Sequence, residues 1–282
     1  MTAVTAPAPA ATPRARKRPR VDVRRIALRA VVPVGLIALW CALSYGDVVE
    51  PLYLPSPTGM WEAFTQLRPD LPSAIATTVG MTLTGFLLGT VLGVGLGLLM
   101  AYSATARVLL SDALDATRPV PVFALIPLFL LWFGIGRGPQ IALIALGTSV
   151  ILGVTTLEAI RNVNPIHVRA ALTLGATRGT IYRRVVLPSI FPHLLGAIRV
   201  AAAASWGLDV AAELIGSQNG LGYLMIVRQQ YLDTAGILVV VVVYAVLALV
   251  LDRAIVWLER PLTRWTHRDQ RAGVAASILG RA

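Results

Sequence analysis

The feature that most constrains this chain is a set of long segments that contain no Asp, Glu, Lys or Arg. Three of them cover residues 71–106, 138–157 and 234–251. A helix crosses the hydrocarbon core of a bilayer with about 20 apolar residues, and each segment approaches or exceeds that length. The strands of a membrane barrel would alternate polar and apolar side chains, which these segments do not. The sequence therefore predicts an all-α, polytopic membrane helix bundle.

The composition and the placement of charge agree with a membrane protein. Of the 282 residues, 56% are hydrophobic and 14% are charged, against about 25% charged in soluble domains. The net charge of +11 would also suit a nucleic-acid binder. However, eight of the 25 basic residues lie in 14–29, and most of the others lie in 161–184 and 253–281. Such clusters mark cytoplasmic segments beside lipid headgroups, so we expect membrane lipid and no nucleic acid as a partner.

The hydrophobic segments divide the chain into six predicted spans. They cover residues 26–45, 75–102, 120–133, 140–157, 193–216 and 234–257. Six crossings place both termini and the basic loop 158–192 in the cytoplasm, in agreement with the distribution of arginine. We therefore predict a disordered basic cytoplasmic arm over 1–25, a transmembrane domain over 26–265 and a cytoplasmic tail over 266–282.

Glycine recurs at every fourth position in the second predicted span. The series is Gly85, Gly89, Gly93 and Gly97. In a helix this spacing places the four glycines on one face, where a second backbone can approach closely. We interpret the series as a helix-packing face, because "GVGLGL" has Leu98 where a dinucleotide-binding loop needs its third glycine.

The residue types that an enzyme needs are missing or scattered. The histidines, His167, His193 and His267, are far apart, and no His-Glu-x-x-His pair offers zinc ligands. The only cysteine is Cys41, which excludes a disulfide framework. The only lysine is Lys17, which has no P-loop glycine before it, so this chain holds no Walker A site. We therefore predict no catalytic, metal or cofactor site in this chain. If the protein carries out driven transport, the energy must come from an ion gradient or from another subunit. A structural membrane protein stays open as the alternative function.

The basic loop has the pattern of two short helices. Pro165 suits a helix start and Gly175 a helix stop, and "TRGTIYRRVVLP" is typical of a second short helix that ends before Pro188. Two helices bent at a glycine, with Ala170 and Ala171 on a shallow face, could fill a groove on another protein, and exposed arginines would suit an acidic partner. A loop that lies on lipid headgroups fits the same pattern.

This loop resembles the "EAA" motif of the membrane subunits of ABC importers, Glu-Ala-Ala-x3-Gly-x9-Ile-x-Leu-Pro. The residues that match at the motif's spacing are Ala170, Ala171, Gly175, Leu187 and Pro188. Two positions depart from it, since Arg169 replaces Glu and Val185 replaces Ile. The stretches 121–136, 144–148, 159–163 and 215–224 are similar to the nitrate/sulfonate/taurine branch of these permeases.

The resemblance implies a type I ABC importer permease with its own set of partners. The loop would be the coupling helix, which docks on a cytoplasmic ATPase subunit that binds the ATP. Its coupling residues would be Arg169, Ala170, Ala171, Gly175, Leu187 and Pro188. Two permease copies, as a homodimer in the bacterial inner membrane, would enclose the path, and an external solute-binding protein would deliver a sulfonate, taurine or nitrate-like solute. Another solute of the same branch, such as a vitamin precursor, is the alternative.

The fifth predicted span carries the candidate residues for the translocation path. It contains three charges, Arg199, Asp209 and Glu213, and charges inside a membrane usually face a cavity or a partner. The spacings of three and four place Trp206, Asp209 and Glu213 on one helix face. Two alternatives stay open, a structural role for Glu213 and a pairing of Asp209 with Arg199 or another donor.

Overall fold

The computed structural model describes residues 23–46 and 48–262, and within these ranges the chain is helical with no β-strand. It divides into two units, residues 1–50 and 51–282. The helices of the described ranges are α1 Val23–Tyr45, α2 Pro57–Leu67, α3 Leu71–Tyr102, α4 Ala104–Thr117, α5 Ile126–Phe133, α6 Arg137–Arg161, α7 Pro165–Thr173, α8 Arg178–Ile181, α9 Leu187–Gly216, α10 Leu221–Gln230 and α11 Thr234–Leu262. The all-α prediction is confirmed.

The predicted terminal segments fall mostly outside the described residues. Of the predicted arm, only residues 23–25 are described, and they belong to α1. The predicted tail, 266–282, lies outside the described ranges altogether. In the first unit, α1 contains the apolar stretch Ala30–Tyr45, which is shorter than a full membrane span.

Four helical stretches in the second unit are long and apolar enough to cross a membrane. They are Leu71–Tyr102, Arg137–Arg161, Arg178–Gly216 and Thr234–Pro261. A fifth crossing is possible if α4 and the following stretch Val122–Phe133, which are bent by 92° relative to each other, count as one broken span. The six predicted segments therefore all fall on helices, but the third is the second limb of a bent pair and not a straight span. Pro119 and Pro121 lie in the break between the two limbs, where proline cannot continue the α4 hydrogen-bond ladder.

The glycine face of α3 packs directly on α6. A Cβ atom at Gly89 would lie 2.6 Å from the Ala145 carbonyl oxygen, and one at Gly93 would lie 2.5 Å from the Ser149 carbonyl oxygen. Real Cβ atoms are not found so close to another backbone, so only glycine permits this approach. The packing interpretation of the glycine series is confirmed.

The interior of the second unit lies between α9, α11 and their neighbours. Trp206 of α9 packs its ring edge-on against Tyr244 of α11, with ring centroids 6.2 Å apart. Leu67, Leu221 and Val240 are fully buried in the same cluster. On α3, the side opposite the glycine face exposes large apolar side chains, among them Leu87, Leu88, Val91 and Leu92. Such a surface is expected to face lipid.

An ion pair joins α9 to α11. The Arg199 guanidinium donates from Nε (3.0 Å) and Nη2 (2.8 Å) to Oδ1 of Asp252. Both side chains are partly exposed. Within this chain, Arg199 therefore pairs with Asp252 on the neighbouring helix and not with Asp209.

Candidate functional site

The first half of the basic loop is a short helix with well-defined ends. The Asn164 side chain accepts a hydrogen bond from the Ile166 amide at 3.0 Å and caps the start of α7. At the other end, the Gly175 amide donates to the Leu172 carbonyl (2.9 Å) and the Ala176 amide donates to the Ala171 carbonyl (3.0 Å). These two bonds are the Schellman motif, which requires a left-handed residue. Gly175 has φ +76°, so the predicted helix stop is confirmed.

The second half of the loop differs from the prediction. Four residues form α8, which continues as a π-helix over Tyr182–Val186 and then directly as α9. The predicted end before Pro188 is wrong, since Pro188 lies inside the continuous helical stretch Arg178–Gly216, directly after the π-helix. A proline inside a helix removes one backbone hydrogen bond without ending the helix here. The segment between α6 and α9 thus covers residues 162–186 and is shorter than the predicted loop, 158–192.

The π-helix ties the loop to the end of α3. The Tyr182 hydroxyl donates to the Leu98 carbonyl at 2.8 Å. Its ring also packs edge-on against Tyr102, with centroids 5.3 Å apart. Ile181, which precedes Tyr182, is also buried. The loop is therefore held as a rigid extension of two long helices, α3 and α9.

The predicted coupling residues lie on or near one open groove. This groove, about 560 Å³ in volume, runs between α7 and the start of α9, and its lining includes Ala170, Ala171 and Pro188. Leu187 is half-buried, Arg169 and Gly175 are exposed, and none of these three residues lines the groove. Sequence reasoning missed His167, Arg184 and Ser189, which also line it.

The predicted path residues lie in the interior of the second unit and not on an open face. Glu213 is fully buried and accepts three hydrogen bonds. They come from the Thr78 hydroxyl (2.7 Å), the Gly222 amide (2.5 Å) and the Tyr244 hydroxyl (3.0 Å). One carboxylate therefore joins α9 to α3, α10 and α11.

Asp209, one helical turn from Glu213, has a different environment. It is fully buried, and neither carboxylate oxygen has a hydrogen-bond partner among the described residues. The hydroxyls of Thr82 and Tyr244 lie close to it without reaching hydrogen-bond geometry, and the Thr82 hydroxyl donates instead to the Thr78 carbonyl. The Trp206 indole N–H also has no described partner. The structure thus brings the three predicted residues together, with Glu213 satisfied and Asp209 not.

The partners of Glu213 were missing from the predicted site. Thr78 also accepts a hydrogen bond from the Leu221 amide at 2.9 Å, which fixes the start of α10. The sequence held two weak signals for them, a polar residue inside an apolar run at Thr78 and the only tyrosine of the last span at Tyr244.

Ionisable residues inside membrane-spanning helices, such as Asp209 and Glu213 here, commonly mark substrate or ion pathways. The family model described as "Binding-protein-dependent transport system inner membrane component" matches residues 89–264. The chain belongs to this family. The chain is therefore the permease subunit of an ABC importer. This subunit has no catalytic activity of its own, and a separate subunit hydrolyses ATP.

Two relatives of this permease come from Escherichia coli. The putative aliphatic sulfonates transport permease protein SsuC is 34% identical over 236 residues, which cover 83% of this chain and 90% of SsuC. The taurine transport system permease protein TauC is 29% identical over 249 residues, which cover 86% of this chain and 90% of TauC. These relatives support the predicted nitrate/sulfonate/taurine branch.

A solved structure supports the fold of the permease. The MetNI methionine ABC transporter, in inward-facing conformations, matches with a TM-score of 0.59 and 22% sequence identity. The match covers 68% of this chain and 95% of that chain. At this identity the likeness establishes the type of fold, a helical importer permease, and nothing about the solute.

Proposed function

We propose that this permease forms, with a second copy of itself, the inner-membrane path for a small sulfonate, taurine-like or nitrate-like solute. The similarity to TauC and SsuC supports this class of solute. The observation that carries the coupling part of the proposal is the rigid loop, with its Schellman stop at Gly175 and its tie from Tyr182 to α3. An extracytoplasmic solute-binding protein and an ATPase subunit complete the importer.

The loop offers a direct mechanical route from the ATPase to the path. Since the π-helix runs into α9 without a break and Tyr182 bonds to α3, a displacement of α7 moves the ends of both helices. Packed helices have a small number of alternative arrangements. Closure of the ATPase subunits would therefore switch the path between inward-facing and outward-facing states. The exposed coupling residues, Arg169 and Ala170 among them, would form the contact.

The roles of the path candidates divide according to their contacts. Glu213, with three donors, holds the helices around the path in register. Asp209 is the carboxylate without a partner, so a rearrangement of α9 would leave it free to meet the solute or its water. Trp206 supplies the apolar wall beside them. In this arrangement, Asp209 affects how the path interacts with the solute, and Glu213 preserves the shape of the path.

The arginine distribution supports a cytoplasmic location for the loop and for both termini in this proposal. The loop would then lie on the side where ATP is available. The solute-binding protein would meet the opposite face of the membrane.

The proposal is tested by reconstitution of the permease with its ATPase and solute-binding protein in liposomes. We expect ATP-dependent accumulation of radiolabelled taurine or an alkanesulfonate, and none when the ATPase is left out. A matched preparation that carries Gly175→Val supplies the coupling control. ATP-dependent uptake of an unrelated solute, with neither sulfonates nor nitrate transported, would contradict the proposed solute class.

A further inference from the structure

The charged side chains of the loop are all basic. Between residues 162 and 186 it carries Arg169, Arg178, Arg183 and Arg184, and the chain has no Asp or Glu from 159 to 208. None of these four arginines forms an ion pair with another described residue. Their side chains are exposed. The positive charge is therefore available to a partner and is not used to hold the loop together.

Apolar side chains lie among these charges. Ile166 is 66% exposed and Leu174 is 87% exposed. So large an exposed fraction is unusual for a leucine. An exposed apolar patch surrounded by charge is typical of a docking surface. Two recesses shape it. One is the groove beside α7, and the other, about 610 Å³ in volume, is lined by Thr177, Gly179, Thr180, Arg183 and Arg184.

A folded protein fits this surface better than a layer of lipid headgroups. Helices that lie on a membrane present one continuous apolar face to the lipid. By contrast, α7 has nine residues and ends at the bend of Gly175, and the remainder of the loop is fixed to α3 by Tyr182. Such a short, pre-formed element with recesses on its surface suits insertion into a cleft of matching shape.

We propose that the ATPase subunit receives this loop in an acidic cleft, with a carboxylate that faces Arg169. This inference rests on the proposed function and specifies the charge of its partner. The EAA motif has Glu where this chain has Arg169, so the contact here has the opposite polarity. Opposite charges across an interface favour the correct partner, and like charges across it disfavour a wrong one. The position of Arg169 thus selects the ATPase with which this permease assembles.

The test uses the intact permease, co-expressed with its ATPase and purified through a tag on the permease. The retained ATPase is measured for the wild type and for R169E, R169Q and R260E. The R260E variant is the matched control, because Arg260 is an exposed arginine in the last turn of α11, outside the loop. All variants alter exposed side chains, and the yield of permease is checked for each.

We expect R169E to lower ATPase retention about tenfold or more, R169Q to lower it less, and R260E to leave it unchanged. The loss should be the same in nanodiscs of zwitterionic and of anionic lipid. Retention by R169E equal to the wild type would overturn the inference, and so would a loss that appears only in anionic lipid, since headgroups would then be the partner. A wild-type permease that retains no ATPase under any condition would instead contradict the proposed function.

Discussion

At the scale of single residues, two neighbouring carboxylates have opposite roles. Glu213 accepts hydrogen bonds from three elements, whereas Asp209, also fully buried, has none from the described residues. A buried carboxylate that is fully hydrogen-bonded holds its surroundings together, and one without donors is costly and therefore usually marks a functional position. The contrast predicts different outcomes for their substitution.

Removal of the Glu213 carboxylate should destabilise the permease. In Glu213→Ala, the Thr78 and Tyr244 hydroxyls and the Gly222 amide would lose their acceptor, at about 1–3 kcal/mol for each buried group left unsatisfied. We expect a marked loss of the protein from the membrane fraction and a lower Tm in detergent. The neighbouring Leu214→Ala, at a partly exposed position, is the control. Equal stability of the two variants would disprove the bracing role of Glu213.

Neutralisation of Asp209 should affect transport and not assembly. Because no described hydrogen bond is lost, Asp209→Asn should reach the membrane in normal amount and bind the ATPase as well as the wild type does. Uptake in proteoliposomes should fall if the carboxylate meets the solute. A variant with full uptake would remove Asp209 from the path.

At the scale of the helices, α3 and α6 approach each other closely along the glycine face of α3. The two backbones meet at the four glycines of α3. This face was predictable, because a spacing of four on a helix is local information that the sequence states directly. The same holds for the stop of α7 at Gly175, since glycine is the residue that the left-handed position requires.

Other elements could not be predicted, for identifiable physical reasons. The continuation of the loop into α9 was missed because Pro188 suggests a helix end as readily as a helix start. The role of Glu213 was hidden because its donors Thr78 and Tyr244 lie 135 and 31 residues away along the chain. Such partners are set by tertiary packing, which the local pattern of one helix does not contain.

The tight approach of α3 to α6 predicts a pair of matched alanine variants. The added methyl of Gly93→Ala would lie 2.5 Å from the Ser149 carbonyl oxygen, while that of Gly95→Ala would meet nothing within 4 Å. Overpacking of this kind costs about 1–3 kcal/mol, whereas alanine in an open helix position stabilises by about 1 kcal/mol. Thermal unfolding in detergent should therefore show a lower Tm for Gly93→Ala and an unchanged or higher Tm for Gly95→Ala. The reverse order would refute the packing.

At the scale of the whole molecule, the account requires the loop and the turn after α9 to lie on opposite sides of the membrane. In a Cys41→Ser background, Ser217→Cys should react with an impermeant thiol reagent added from outside, and Thr177→Cys should react only after the membrane is opened. The positive-inside distribution of arginine is the reason for both expectations. Labelling in the opposite pattern would exclude the proposed topology.

The central claim is that the pre-formed loop couples this permease to an ATPase, and Gly175→Val tests it most directly. A Cβ at Gly175 meets no other atom within 4 Å, so the substitution strains only the left-handed backbone, by about 1–2 kcal/mol. The measurement is ATP-dependent uptake together with ATPase co-purification. The account predicts a permease present in normal amount that retains less ATPase and transports less. Wild-type retention and uptake in Gly175→Val would contradict it.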